Sequence, residues 1–387
     1  MRITKSLLVS IFVLLTVVGV SWATELDSGG DLSSLLEVQQ YYRAIHIMAM
    51  LLVGFGFLMV FVKKYGRSAI TATYLLVSIA IPLYFLKDSL GIFGGVESDI
   101  ERLILAEFGA ASLLIAAGAV LGRLKMHQYL LMGLLFIPLY ALNEWLLLFG
   151  GFGLIDVGSF VDTGGSIVIH AFGALFGIGV AFSMTTLKEF ETPIEADDTS
   201  DRFSYLGSMM LWVFWPSFCA ALVAVEAIPM TVVNVILALS GSTLATYFAS
   251  QKIRGKISPA DIANAALAGG VAIGSTCDKV PPTVAFIIGI LAGALSTVGF
   301  AVIQSRFQAA IKKVDTCGVL HLHGLPGLFG GLVAMIAVDG ISRGSQIKGI
   351  LITIILALVS GLVVGRILSL TGRRETPYTD SEEFEID

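Results

Sequence analysis

The sequence predicts an all-α membrane protein with eleven transmembrane helices, arranged as a five-plus-five inverted repeat and one further helix. The first observation is composition: the 387 residues are 56% hydrophobic and 14% charged, whereas soluble proteins carry about 25% charged residues. The second is that the charges lie in short gaps between apolar runs of about 20 residues, the length that crosses a bilayer. The third is a short motif that occurs twice, since internal repeats are typical of membrane transporters.

The N-terminal apolar run is typical of a secretory signal peptide. Arg2 and Lys5 precede it, and Ser21-Trp22-Ala23 supplies small residues at the cleavage positions. We expect cleavage near Ala23, which would remove residues 1–23 and leave 24–40 as a polar external lead-in. The alternative interpretation is an uncleaved first span.

Eleven apolar spans follow this segment. If the N-terminus is external, an odd number of spans places the C-terminus in the cytoplasm. The distribution of Lys and Arg agrees: sixteen lie on the cytoplasmic side and only six on the other, which follows the positive-inside rule. The approximate limits of the spans are 41–63, 68–86, 101–121, 127–149, 163–187, 203–225, 228–250, 259–275, 281–304, 317–338 and 346–370.

These spans divide the mature chain into repeats and connecting segments. The two repeats are joined by an acidic cytoplasmic linker, and the eleventh helix is followed by a polar, acidic tail. We expect that tail to be poorly ordered, as polar chain termini commonly are. The predicted limits are 41–187 for the first five-helix repeat, 188–202 for the linker, 203–338 for the second repeat, 346–370 for the eleventh helix and 371–387 for the tail.

The repeated motif carries one histidine in each copy. Both copies read Asp-Thr with Gly at the fourth position, and His170 and His323 each follow the Asp by eight residues. The fifth span begins outside and the tenth inside, so the copies run in opposite directions. Eight residues of helix rise ~12 Å, so the two imidazoles are expected to meet near the middle of a hydrocarbon core roughly 30 Å thick.

The acids that open each motif have a structural interpretation. Asp162 and Asp315 lie more than two turns from their histidines, too far for contact. We therefore expect each of them to cap the start of its helix, with Thr163 and Thr316 beside it.

A pair of neutral imidazoles in an apolar passage fits a particular kind of permeant. Charged groups are costly there, whereas two hydrogen-bonded imidazoles stay neutral and still present a donor and an acceptor. Ammonium, which can release a proton to become ammonia, fits this requirement. Two histidines without thiolate or carboxylate ligands make an incomplete metal site, so we expect no metal or other cofactor. The alternative is a pair of histidines that only pack.

Three stretches resemble the Rh branch of the ammonium transporter/Rh superfamily. They are Asp162–Gly173, Leu211–Phe218 and Asp315–Gly327, and the resemblance spans roughly residues 41–370. The signal peptide resembles that of bacterial members, which implies that the protein lies in the bacterial inner membrane. The resemblance implies a homotrimeric channel rather than an enzyme, with ammonia recruited as ammonium through a twin-histidine pore in each subunit. Carbon dioxide and methylammonium are further candidate permeants. We expect the protein to be embedded in a lipid bilayer and to bind no nucleic acid.

The same resemblance assigns three residues near the outer mouth. Phe108 and Phe218 match a pair of aromatic rings that block this mouth, and Glu144 matches an acid of the outer vestibule that gathers cations. The interval from Glu144 to Asp162 is longer than in animal members. Glu107 is an alternative for the vestibular role.

Two other functions remain as alternatives. A membrane ammonium sensor would signal through the tail without flux. A haem electron carrier would use His170 and His323 as axial ligands. The other three histidines have structural interpretations: His46 in packing or the vestibule, His127 at the interface, and His321 facing away from the pore.

Overall fold

In a computed structural model of the chain, residues 30–96 and 98–385 are described. The chain divides after Gln39 into two units, and in the first unit only residues 30–39 are described, all of them helical. The second unit, Gln40–Asp387, contains the candidate functional site. The predicted signal peptide lies outside the described residues.

The described part of the chain is helical and contains no strand. Wider π-helical or tighter 3-10 turns join several of the helices, at Met50–Phe55, Met59–Phe61, Ser166–Ala171, Ala265–Leu267, Gly299–Ile303 and Leu320–Gly324. The α-helices of at least five residues are α1 (Gly30–Ala49), α2 (Gly66–Ser89), α3 (Asp99–Ala119), α4 (Met126–Leu148), α5 (Phe172–Met184), α6 (Leu187–Glu191), α7 (Asp198–Cys219), α8 (Ile228–Arg254), α9 (Pro259–Asn264), α10 (Ala268–Ile273), α11 (Pro282–Val298), α12 (Gln304–Ile311), α13 (Leu325–Ala337) and α14 (Arg343–Ser369).

Within the described residues, nine helical segments are long and apolar enough to cross a membrane. This confirms the predicted fold class, an all-helical polytopic membrane protein. The first segment starts at Ser34, so part of the predicted lead-in is helical. The nine segments are Ser34–Phe61, Gly66–Ser89, Asp99–Ala119, Met126–Leu148, Ser166–Met184, Val225–Arg254, Pro282–Ile311, Leu320–Ala337 and Arg343–Ser369.

Of the two other predicted spans, one corresponds to a helix with a charged first turn and the other to a short, interrupted helical segment. Helix α7 is 22 residues long, but its first turn carries Asp198 and Asp201. Helices α9 and α10 form a shorter apolar segment, Pro259–Ile273, interrupted by the 3-10 turn Ala265–Leu267. The total of eleven spans therefore stays a prediction.

Hydrogen bonds gather four loops and the tail on one face, which we call the tail face. Lys63 donates its backbone N–H to the carbonyl of Glu195 at 3.0 Å, and the ammonium of Lys313 donates to the carbonyl of Thr185 at 2.8 Å. Tyr378 of the tail donates its N–H to Gly122 at 2.8 Å. The loops after the first, third, fifth and ninth predicted spans thus lie on the same side as the tail, as the predicted parity requires.

The tail is packed against the tail face, contrary to the expectation of poor order. The backbone N–H of Asp380 donates to the carbonyl of Lys64 at 2.8 Å. Its carboxylate accepts from the N–H groups of Arg67 and Ser68, both at 2.9 Å, in the first turn of α2. Free N–H groups at a helix start need such acceptors. The prediction of poor order from polar composition is therefore wrong for this segment, because its polar groups have partners on the folded surface.

Close approach of helices places the first repeat against α14. A Cβ atom on Gly361 of α14 would lie 2.2 Å from the carbonyl oxygen of Phe176 on α5, and one on Gly179 would lie 2.8 Å from that of Leu358. No side chain larger than hydrogen fits at such distances. Small residues are what allow helices to pack this closely where apolar burial from water is weak.

Candidate functional site

The two repeats build matching loops in front of the two histidines. Gly165 and Gly318, the fourth residues of the two motifs, adopt φ values of 74° and 67°, a left-handed conformation that glycine accepts at little cost. Each loop leads into a π-helical turn, Ser166–Ala171 in the first repeat and Leu320–Gly324 in the second. The two histidines therefore sit on equivalent π-helical turns.

The two motif acids bind the backbone of these turns. The carboxylate of Asp162 accepts from the N–H groups of Ile167 and Val168, the latter at 2.8 Å. The carboxylate of Asp315 accepts from Val319 at 2.9 Å and Leu320 at 3.0 Å. These N–H groups begin a helix and have no partner within it, so the carboxylates hold the start of each turn.

The adjacent threonines bind other parts of the chain instead of capping. The hydroxyl of Thr163 donates to the carboxylate of Asp278 at 2.7 Å. The hydroxyl of Thr316 donates to the carbonyl of Leu121 at 3.0 Å. The threonines thus lie beside the aspartates, and each side chain binds a neighbouring loop.

The structure brings His170 and His323 into direct contact. Their Nδ1 atoms are 3.2 Å apart, and the rings stack with centroids at 5.3 Å and an angle of 6° between planes. Both side chains are buried, with 2% and 3% exposure. One Nδ1 must donate and the other accept, so in the neutral pair one Nε2 is an acceptor and the other carries a proton. The pair thus offers hydrogen bonds at both ends without a net charge.

An open cavity of about 360 Å³ lies on the opposite side from the tail face. Its wall includes Phe108, Glu144, Asp162 and Lys279. We call it the outer cavity. Two acidic side chains and one basic side chain line it, so its wall is not acidic throughout.

Phe108 and Phe218 form a contact between the outer cavity and the histidines. Their ring centroids are 4.6 Å apart at 50°, and Phe218 lies 6.1 Å from His170. Both rings are buried, at 6% and 3% exposure. The two residues assigned to the aromatic gate therefore touch each other and stand in line with the histidine pair.

Glu144 lies in the wall of the outer cavity but is held by two tyrosines. The hydroxyl of Tyr84 donates to one carboxylate oxygen at 2.5 Å, and that of Tyr140 donates to the other at 3.3 Å. The side chain is only 2% exposed. Glu107, the alternative, is buried at 1%, and its Oε2 has no hydrogen-bond partner within the described chain.

The three other histidines lie apart from the pair. Nδ1 of His46 is 2.9 Å from the hydroxyl of Ser217, and its ring stacks on Phe214. His321 is buried against Phe300, and His127 is exposed. Across the described residues, no group of three or more His, Cys, Asp or Glu side chains is placed to hold a metal ion.

Comparisons with known proteins identify the family. A sequence model of the ammonium transporter family matches residues 6–386. The cow (Bos taurus) ammonium transporter Rh type A is 38% identical over 374 residues, covering 92% of this chain and 85% of its own. The chain belongs to the ammonium transporter family.

Solved structures of the family share the fold. Nitrosomonas europaea Rh50 is 54% identical to this chain with a TM-score of 0.88, over 91% of this chain and 93% of that one. Saccharomyces cerevisiae Mep2 has a TM-score of 0.71 at 17% identity, over 94% and 95% of the two chains, which shows the fold alone. Ammonium transporter family members are transport proteins, so this chain is a multi-pass membrane transport protein and not an enzyme.

Two rings that the sequence analysis did not assign flank the histidine pair of this family member. Trp215 stacks on His170 with centroids at 5.5 Å, and Phe55 stacks on His323 at 6.2 Å. Trp215 precedes Phe218 by three residues on α7, so the two share a helix face, and that spacing is a signal in the sequence. Phe55 has no such signal, because it comes from a distant helix.

Proposed function

We propose that this protein conducts ammonia, recruited as ammonium, through a pore that runs between His170 and His323 and the rings beside them. The observation that carries the proposal is the buried, stacked histidine pair, aligned with Trp215 and Phe55. A charged ion is costly in such surroundings, whereas ammonia is neutral and can both donate and accept hydrogen bonds. Ammonium that reaches the outer cavity loses a proton before the neutral molecule enters.

The outer cavity serves as the site of recruitment in this proposal. The carboxylate of Glu144 attracts cations to the cavity, while Tyr84 and Tyr140 hold it in place. Phe108 and Phe218 then close the pore to hydrated ions, because their contact leaves no open space between the rings. Carbon dioxide and methylammonium are further candidate permeants, since both are small and available as neutral molecules.

The histidine geometry disfavours the haem alternative. Axial nitrogens of a haem lie about 2 Å from the iron on each side, with the porphyrin plane between them. The Nδ1 atoms of His170 and His323 are 3.2 Å apart and bond directly to one another. No porphyrin fits between two rings in this arrangement.

The assembly, orientation and repeats are part of the same proposal. We infer a homotrimer with one pore in each subunit, in the bacterial inner membrane, with the tail face in the cytoplasm and the N-terminus outside. The repeats comprise 41–187 and 203–338, with 346–370 as the eleventh helix. The Lys and Arg distribution supports the orientation.

The test is flux through the purified protein in liposomes. An inward ammonium gradient should raise internal pH faster than in protein-free liposomes, because entering ammonia takes up protons. A simultaneous current recording determines the permeant: no current indicates ammonia, and a current indicates ammonium or ammonia with a proton. Internal pH that rises no faster than in protein-free liposomes would contradict the proposal.

A further inference from the structure

Two cavities follow one another between His323 and the tail face. The first, which we call the chamber, measures about 20 Å³ and is lined by His323, Phe55 and apolar side chains of α3. The second, the inner cavity, measures about 160 Å³ and is lined in part by Ala196 and Asp201 near the tail face. The chamber has room for about one water-sized molecule, so no hydrated ion fits in it.

Three side chains border both cavities. They are Phe61, Asn264 and Cys317. A side chain that lines two separate cavities stands between them, so these three form the partition, which we call the inner neck. The residues come from three distant parts of the chain: the end of the first span, the end of α9 and the loop of the second repeat.

The backbone around the inner neck is fixed. The N–H of Cys317 donates to the carbonyl of Gly118 at 3.1 Å. A Cβ atom on Gly118 would lie 3.5 Å from the thiol sulfur, which therefore packs against α3. Cys317 is partly exposed, whereas Cys219 and Cys277 are buried. The thiol thus borders open space on a rigid wall.

Asn264 contributes the polar group of the inner neck. Its side-chain nitrogen donates to the carbonyl of Ala260 at 2.9 Å, within its own helix. This bond fixes the amide and leaves its oxygen, Oδ1, without a donor in the described part of the chain. Because Asn264 borders both cavities, an amide oxygen at this place suits a small molecule with N–H donors, since a polar molecule leaving a dry space needs a partner.

We propose that the inner neck is a second constriction of the conduction path, and that Oδ1 of Asn264 accepts a hydrogen bond from ammonia as it leaves the chamber. Phe61 and Cys317 close the rest of the opening. This inference rests on the proposed function. In this proposal two constrictions limit the size of the permeating molecule: the aromatic contact before the histidines and the inner neck after them.

Cys317 provides a direct test, because a group attached to its sulfur would fill the inner neck. The purified protein is treated with a trimethylammonium-bearing methanethiosulfonate. The Cys317 thiolate attacks the reagent sulfur, forming a mixed disulfide and releasing methanesulfinate, while the thiol proton passes to the buffer. The labelled protein is reconstituted, and ammonia flux should fall about tenfold or more, as expected for a filled pore. Dithiothreitol should restore it by removing the group.

Matched variants assign the effect to Cys317. Cys317→Ser should show the same flux with and without this treatment, because it has no thiol at the inner neck. The Cys219→Ser/Cys277→Ser double variant should remain as sensitive as the unsubstituted chain, with Cys317 as its single thiol. If the double variant folds poorly, mass spectrometry of the labelled unsubstituted chain identifies the modified residue instead.

The outcomes separate this inference from the proposed function. Unlabelled protein is measured first, and absence of flux at that stage contradicts the proposed function. Flux that persists at full Cys317 labelling overturns the inner neck as part of the path. Failure of the reagent to modify Cys317 also overturns it, because the thiol would then not border an open cavity.

Asn264→Leu tests the polar part of the inference. Leucine has nearly the same size but no acceptor, so we expect flux to fall by about tenfold, the effect of one hydrogen bond on a barrier. Asn264→Ser retains an acceptor and should conduct better than Asn264→Leu. Equal flux in Asn264→Leu and the unsubstituted chain, with Cys317 still reactive, would show that Oδ1 makes no contact with the permeant.

Discussion

At the scale of single residues, the site depends on two side chains that stay neutral because they bind each other. His170 and His323 share one hydrogen bond, at 3.2 Å between Nδ1 atoms, and are enclosed by the rings of Trp215 and Phe55. An isolated imidazole in water can take up a proton. In the pair, a charge on one ring would repel a charge on the other, and burial would remove the water that stabilises it. The chemistry of the proposed pore therefore follows from the pair and its enclosure together.

Substitution of either histidine by alanine should reduce ammonia flux without loss of assembly. One buried hydrogen-bonded pair is lost, at about 1–3 kcal/mol, which a folded membrane protein tolerates. Losing one hydrogen bond to the permeant of about 1 kcal/mol or more slows passage about tenfold. Flux and oligomeric state are measured together on His170→Ala and His323→Ala. Two variants that conduct like the unsubstituted chain would leave the pair with a packing role only.

Acidic substitution of the same residues should weaken selectivity. His170→Asp or His323→Glu puts a negative charge where the neutral pair excludes charge, and a charge in the pore attracts cations. Potassium leak in liposomes is the measurement, with the alanine variants as the uncharged control. A leak no larger than that of the alanine variants would contradict the electrostatic reason.

Phe218→Ala should change flux while leaving the protein folded. Its ring touches Phe108 at 4.6 Å and lies 6.1 Å from His170, so its removal opens the contact in front of the pair. A phenylalanine that served only in a packed core would cost 3–5 kcal/mol on truncation. Melting temperature and flux per molecule distinguish these roles. Phe108→Ala is the companion variant. Loss of protein with unchanged flux per molecule would argue for packing alone.

At the scale of elements, several helix starts are stabilised by carboxylates that accept hydrogen bonds from backbone N–H groups. The turns Ser166–Ala171 and Leu320–Gly324 are held by Asp162 and Asp315, and α2 is held by Asp380 of the tail. Each carboxylate accepts from N–H groups that have no partner within the helix. The tail thus contributes to the fold in the same manner as the two motif acids.

The short helix α6 shows by pH what the burial of such a carboxyl costs. Glu189 accepts from both the N–H and the hydroxyl of Thr186 and is fully buried. Burial raises the pKa of Glu189 above its ordinary value, although the bonds from Thr186 and the charge of Arg123 act in the other direction. The folded protein therefore holds the Glu189 proton more tightly than the unfolded chain. Stability should fall as pH rises from the unfolded carboxyl pKa, about 4.3, to the raised folded pKa, and then level off.

Glu189→Gln removes this titration and keeps an oxygen for Thr186. The melting temperature of the variant relative to the unsubstituted chain should therefore increase between pH 4.5 and 8. The comparison needs both proteins in the same detergent, since all other groups titrate equally in the two. A difference that stays constant with pH, or that changes in the other direction, would contradict the raised pKa.

At the scale of the whole molecule, the opposite orientation that we infer for the two repeats would explain why the histidines meet. The fifth and tenth predicted spans start on opposite faces, and each carries its histidine the same distance from its start. The loops at 62–66, 120–125, 185–197 and 312–316 lie on the tail face with the tail itself. The proposed pore between inverted repeats is consistent with this arrangement.

The predicted topology can be tested on intact cells. A reporter fused after Asp387 should be inaccessible from outside, because eleven spans after an external N-terminus place the tail in the cytoplasm. The excess of Lys and Arg on the tail face supports the same orientation. A reporter in the 150–158 loop serves as the accessible control. External labelling of the C-terminal reporter would contradict the orientation, the span count, or both.

The sequence by itself determined the features that depend on spacing along the chain. Apolar runs of the right length predicted the membrane fold, and equal intervals from Asp162 to His170 and from Asp315 to His323 predicted two equivalent turns. Gly165 and Gly318 were visible as repeated glycines, and the structure shows the positive φ values that explain them. Such features follow from helix geometry, which a sequence specifies locally.

Only the tertiary structure decided which distant residues meet. Phe55 against His323, Tyr84 and Tyr140 on Glu144, the partners of Thr163 and Thr316, and the docking of Asp380 on α2 all join parts of the chain without a shared pattern. The three residues of the inner neck, Phe61, Asn264 and Cys317, also come from distant parts of the chain. Side-chain contacts between separate helices depend on crossing angle, rotation and depth. Packing of the whole bundle sets these quantities, and no local interval in the sequence contains them.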